Sequence, residues 1–112
     1  MKKRLAKKIC LGTAQFGFDY GIANKKGRIK KEEAFRILDY ARRSGIDTLD
    51  TAYMYGESEG VLGEFIKGRD GIFRVISKFT EIDGFLYPEA EKLFSESMKR
   101  LGIKKIYGYM TN

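Results

Sequence analysis

Four short apolar runs of β character alternate with three amphipathic helical patterns, and no other feature of this chain limits its fold so strongly. "KKICLG" (7–12) reads as a strand stopped by Gly12. "KKEEAFRILDYARRSG" (30–45) reads as a helix. Ala34, Ile37, Leu38 and Ala41 share one face, acids occupy its first turn, and Gly45 follows its last basic turn. "IDTLD" (46–50) is the second strand. "SEGVLGEFIKG" (58–68) is the second helix, with Ser58 expected as its N-cap and Val61, Leu62, Phe65 and Ile66 on its buried side. "FRVISK" (73–78) is the third strand. "YPEAEKLFSESMKRLG" (87–102) is the third helix, with Ala90, Leu93, Phe94, Met98 and Leu101 as its apolar stripe and Gly102 placed to stop it. "KKIYGYM" (104–110) is the fourth strand.

The order β-α-β-α-β-α-β implies right-handed crossovers and a parallel sheet. The pattern leaves two architectures open, a doubly wound sheet and a (β/α)8 barrel. Both present functional residues at the C-terminal ends of their strands. The turn after the first strand, "LGTAQFGFDYG", lacks the Gly-x-Gly-x-x-Gly spacing of a dinucleotide-binding sheet, which tilts the balance toward the barrel.

Composition narrows the function classes. The 112 residues fit one domain, 1–112, and 43% hydrophobic with 33% charged residues is a globular balance. Lys and Arg number 22 against 15 Asp and Glu, a net +7 that suits anionic partners such as nucleotide phosphates. The basic residues are dispersed, with no arginine-rich arm, so a nucleic-acid partner is not expected. Histidine is absent, which removes the commonest general base and the commonest zinc ligand, and no metal site is expected. The lone Cys10 excludes an internal disulfide framework. Its neighbours Ile9 and Leu11 predict a buried strand thiol, consistent with a reducing, cytoplasmic setting. No apolar run approaches a membrane span, and the basic start is not followed by the apolar core of a signal peptide, so no membrane partner is expected.

Chemistry concentrates at two strand ends. Asp50 closes the second strand, Lys78 closes the third, and Tyr55 lies in the loop after Asp50. Neighbouring parallel strands lie about 4.8 Å apart, so groups at their ends meet. A carboxylate that holds an ammonium beside a phenol makes the phenol a general acid for a carbonyl oxygen gaining negative charge. The same residues also fit structural roles: a loop-capping aspartate, a solvated lysine and a packing tyrosine.

These residues carry a resemblance. "GIDTLDTAYMYGESEGVLG" is similar to the aldo-keto reductase signature, in which an Asp closes strand two and a Tyr follows in a Tyr-Gly-x-Ser-Glu loop. "VISKF" resembles the stretch bearing that family's lysine, "LGTAQFG" its first strand and turn, and "SMKRLGIKKIYGYM" its third helix and fourth strand. The resemblance covers nearly the whole chain. It implies a (β/α)8 TIM-type barrel, present here as an N-terminal (βα)3β partial barrel, and NADPH- or, less often, NADH-dependent reduction of an aldehyde or ketone.

By the same resemblance Asp50, Tyr55 and Lys78 are the catalytic residues, and Gly12, Thr13 and Asp50 lie at the nicotinamide. The family's histidine at the end of strand four falls at Asn112, which can donate a hydrogen bond but carries no charge. "FGFDYGIANKKG" resembles a subgroup linked to bacterial surface-saccharide synthesis, which implies a sugar-like carbonyl substrate. A full barrel needs about 250 residues. The expectation is therefore a truncated form that lacks most of the family's cofactor loops, binds NADPH weakly and self-associates through the open side of its sheet. Two further readings stay open: a non-catalytic barrel fragment stable only by association, and a basic module that binds nucleotides.

Overall fold

The computed structural model describes residues 3–17, 29–69, 71–80 and 87–111. A short helical turn, α1 (Lys3–Ala6), precedes strand β1 (Cys10–Gly12) and a 3-10 turn (Ala14–Phe16). Helix α2 (Lys31–Arg43), strand β2 (Thr48–Asp50), helix α3 (Ser58–Ile66), strand β3 (Arg74–Phe79), helix α4 (Tyr87–Leu101) and strand β4 (Gly108–Thr111) follow. α2 forms where its residues favour it. Ala34, Leu38 and Ala41 recur at helical spacing and are buried. Glu32 and Glu33 sit at its positive end, and Arg42 and Arg43 at its negative end.

The four strands pair in parallel, in the order β1-β2-β3-β4. Leu11, Leu49 and Val75 stand side by side in register. Leu49 and Val75 pack into one core with Leu38 of α2, Leu62, Phe65 and Ile66 of α3, and Leu101 of α4. All three long helices therefore cover the same face of the sheet. Sequential strand order with helices on one face is the winding of a (β/α)8 barrel, and it excludes the doubly wound alternative, whose helices take both faces. Leu38, Leu49, Leu62 and Leu101 are fully enclosed, each contributing about 1.5–3 kcal/mol of burial. α3 and α4 meet at Gly63, where a Cβ would lie 2.1 Å from the Arg100 carbonyl oxygen.

Three expectations change. Cys10 is exposed, not buried. Its register partner is Thr48, so it lies on the face turned away from the helices, which no other layer of the described chain covers. Ser58 is the first residue of α3; Glu57 occupies the N-cap position. Phe94 of the α4 stripe stays 39% exposed, its ring set edge-on against Tyr109. Leu101 of that stripe is buried, and so is Ser97 beside it, hydrogen-bonded to the Tyr109 hydroxyl at 3.0 Å.

Candidate active site

Asp50 ends β2 opposite Ile76 of β3, and Lys78 lies two residues further along β3 on the same face. The Lys78 Nζ donates to Asp50 Oδ1 at 2.9 Å and to the Thr51 carbonyl at 3.0 Å. It also stands 5.2 Å from the centroid of the Tyr55 ring. The three residues singled out from the sequence thus converge at the C-terminal end of the sheet. The Lys78 side chain is 14% exposed and that of Asp50 32% exposed. The pair is partly withdrawn from water, where an ion pair holds its geometry better than a solvated one does.

The Tyr55 loop is fixed by backbone contacts. The Thr51 N–H donates to the Ile76 carbonyl at 2.9 Å, and the Tyr53 N–H donates to the Lys78 carbonyl at 2.8 Å. The loop is therefore stitched to the strand that carries the lysine. The Tyr55 N–H reaches the Ala52 carbonyl at 3.1 Å, and the Ser58 N–H reaches the Tyr55 carbonyl at 3.0 Å. Gly17 lies directly against this loop. A Cβ there would come 1.5 Å from the Tyr55 carbonyl oxygen, so no larger residue fits without displacing Tyr55.

Gly12 and Thr13 differ in what they offer. Gly12 pairs with Asp50, is exposed, and borders open space where a side chain would project. A flat ligand can approach the backbone there. Thr13 is fully buried. Its hydroxyl donates to the Asp50 carbonyl at 2.9 Å and meets the Ser58 hydroxyl at 2.9 Å, and its N–H also bonds the Asp50 carbonyl at 3.0 Å. Thr13 thus anchors the first loop to the end of β2. Ser58 completes this knot, donating to the Thr13 carbonyl at 3.0 Å and pairing with the Thr51 hydroxyl at 2.9 Å. Asn112 and the segment 18–27 lie outside the described residues.

Cys10 borders the site. Partial burial and, next, the Asp50 carboxylate push its thiol pKa above the ordinary value, and Lys78 opposes them. Among the described residues no group of three or more His, Cys, Asp or Glu is placed to hold a metal ion. No described helix is long and apolar enough to cross a membrane.

The sequence pattern of the Aldo/keto reductase family matches residues 8–109. The chain belongs to the aldo/keto reductase family. Curated relatives of this aldo/keto reductase chain include norsolorinic acid reductase B of Dothistroma septosporum. That protein is 34% identical over 87 residues, which cover 76% of this chain and 22% of the relative. Oxidoreductase sirO of Leptosphaeria maculans is 33% identical over 106 residues, covering 90% and 32%. A crystal structure assigned as an aldo-keto reductase from Pseudomonas aeruginosa superposes with a TM-score of 0.76 at 30% identity, covering 91% of this chain and 41% of that one. The chain therefore spans about a fifth to a third of these curated relatives and about two fifths of the solved barrel.

The sequence reading missed the polar residues behind the site: Thr51, Tyr53, Glu59, Ser77 and Arg100. One of them left a signal. Glu59 lies three and seven residues before Leu62 and Ile66, so a carboxylate interrupts the apolar stripe of α3.

Proposed function

We propose that this chain supplies the proton-transfer half of a site that reduces the carbonyl of a small molecule, an aldehyde or a ketone, with NADPH or NADH. The observation that carries the proposal is the convergence of Asp50, Lys78 and Tyr55 at one end of the sheet. Gly12 and Asp50 fit the cofactor's flat ring, because Gly12 leaves open space in register with the carboxylate. When bound, the reduced nicotinamide supplies the hydride that the carbonyl carbon accepts. Tyr55 gives its hydroxyl proton to the carbonyl oxygen as that oxygen gains charge, and an alcohol results. The Lys78 ammonium stabilises the negative charge left on the tyrosine, and Asp50 keeps the ammonium in place until solvent returns the proton.

Residues 1–112 act as one domain in this scheme, in the cytoplasm, where the single cysteine stays reduced. The sheet face away from the helices favours pairing with a second copy, since Cys10 is exposed and Met110, on the same face, is 47% exposed. Sedimentation of the purified protein tests that pairing; a monomer at micromolar concentration rejects it.

The relatives' names direct the choice of substrate, and norsolorinic acid is assayed beside a sugar aldehyde. Tyr55→Phe should lower kcat about 10²–10⁴-fold while cofactor affinity holds. A variant that keeps the wild-type rate rejects the role given to Tyr55.

A further inference from the structure

Glu59 is fully buried, as is Ser77. Enclosing a carboxylate costs several kcal/mol unless both oxygens find partners, and an apolar residue at this place on α3 would cost nothing. Both oxygens of Glu59 are engaged. Oε2 accepts from the Ser77 hydroxyl at 2.7 Å. Oε1 faces Arg100 Nη1 at 3.4 Å.

Each partner leads back to the candidate active site. Ser77 directly precedes Lys78 on β3. Arg100 Nη1 also reaches the Tyr53 carbonyl at 3.3 Å, and its guanidinium lies 4.3 Å over the Tyr53 ring. The Tyr53 hydroxyl is held in turn by Glu96 at 2.5 Å. Arg100 therefore spans the turn that carries Tyr55, touching it two residues before Tyr55 and four residues after.

We infer that Glu59 is a positioning residue: one buried carboxylate ties the turn bearing Tyr55 to the strand bearing Lys78, and so sets how the ammonium meets the phenol ring. The inference rests on the role proposed above for Tyr55 and Lys78, and adds the residue that fixes their separation. Glu59 acts through Ser77 on one side and through Arg100 and Tyr53 on the other.

The experiment reads that separation without requiring turnover. The Lys78 Nζ lies over the Tyr55 ring at 5.2 Å from its centroid, so an upfield ring-current shift is expected on the adjoining ε-methylene protons, assigned by its loss in Tyr55→Leu. In Glu59→Gln the amide oxygen can still accept from Ser77, but the charge facing Arg100 is gone. The expected result is a reduced Lys78 ring-current shift. A wild-type shift in Glu59→Gln overturns the inference, and if that variant does not fold, the same reading on Ser77→Ala decides it.

In the reduction assay the expected companion is a fall in kcat of about 10–100-fold, the scale of a small misplacement, with the cofactor KM unchanged. A general loss of structure would instead raise KM as well, and that result counts against a positioning role. The two proposals fail separately. Tyr55→Phe with an unchanged rate refutes carbonyl reduction by Tyr55 and leaves the ring-current result standing. An unmoved ring-current shift refutes the role of Glu59 whatever Tyr55→Phe does.

Discussion

Gly63→Ala and Gly60→Ala add the same methyl group to the same helix, and the structure assigns them opposite effects. At Gly63 the new Cβ would lie 2.1 Å from the Arg100 carbonyl oxygen and 3.1 Å from the carbonyl carbons of Arg100 and Leu101. These are backbone atoms of α4 and cannot turn aside as a side chain would. The two helices must separate by about 1 Å to restore ordinary contact. Overpacking of this kind costs typically about 1–3 kcal/mol, here toward the upper end, against about 1 kcal/mol gained from replacing a helical glycine. The net expectation is a loss of about 1–2 kcal/mol. For a chain of this size each kcal/mol moves the melting temperature by roughly 4–8 °C. At Gly60 nothing lies within 4 Å of the added Cβ, so only the helix term acts. The residue is in the first turn, where that term is small, and the expected gain is about 0.5 kcal/mol. Thermal melting and urea titration of the three proteins side by side give both signs. Stabilisation by Gly63→Ala as large as that by Gly60→Ala would refute the close α3–α4 approach and, with it, the placement of Arg100 behind the Tyr55 turn.

Other outcomes follow from the titrating groups. The raised pKa of Cys10 leaves less thiolate at neutral pH, so alkylation should run slower than for a free cysteine and quicken only in alkali; Asp50→Asn should speed it and Lys78→Met slow it further. Equal alkylation rates in all three proteins would separate Cys10 from the charged pair. Tyr53 is held above the usual tyrosine pKa by its hydrogen bond to Glu96, and Tyr109 by burial. Both bind their proton more tightly folded than unfolded. Their contribution to stability is complete below about pH 10 and drains away as the pH rises through their folded pKa values. Melting temperature should therefore slope downward from about pH 10, and less steeply in Tyr53→Phe.

The elements were legible because their periodicity is local. Ala34, Leu38 and Ala41 mark the buried face of α2 within a dozen residues, and strand-end position alone brought out Asp50 and Lys78. What escaped the sequence depends on the other side of the molecule. Ile9, Cys10 and Leu11 are all apolar, as parallel strands commonly are, so nothing in the run says which way Cys10 turns. Ser58 stands where a capping serine would stand. Its hydroxyl is instead drawn to Thr13, 45 positions earlier, and to Thr51. The choice between a barrel and a doubly wound sheet likewise rests on which face the crossovers cover. That is a property of packing, settled here by Leu49 and Val75 meeting all three helices. Glu59 was visible as a carboxylate on an apolar stripe, but its meaning required Ser77 and Arg100 beside it.

The most direct test of carbonyl reduction at this site is transfer of label. The protein is supplied with an aldehyde and NADPH carrying deuterium at the transferable position of nicotinamide C4, and the alcohol is examined by mass spectrometry and NMR. The expectation is deuterium on the carbinol carbon, with the yield collapsing in Tyr55→Phe. An alcohol free of deuterium, or deuterium transfer that proceeds undiminished without the Tyr55 hydroxyl, would contradict it.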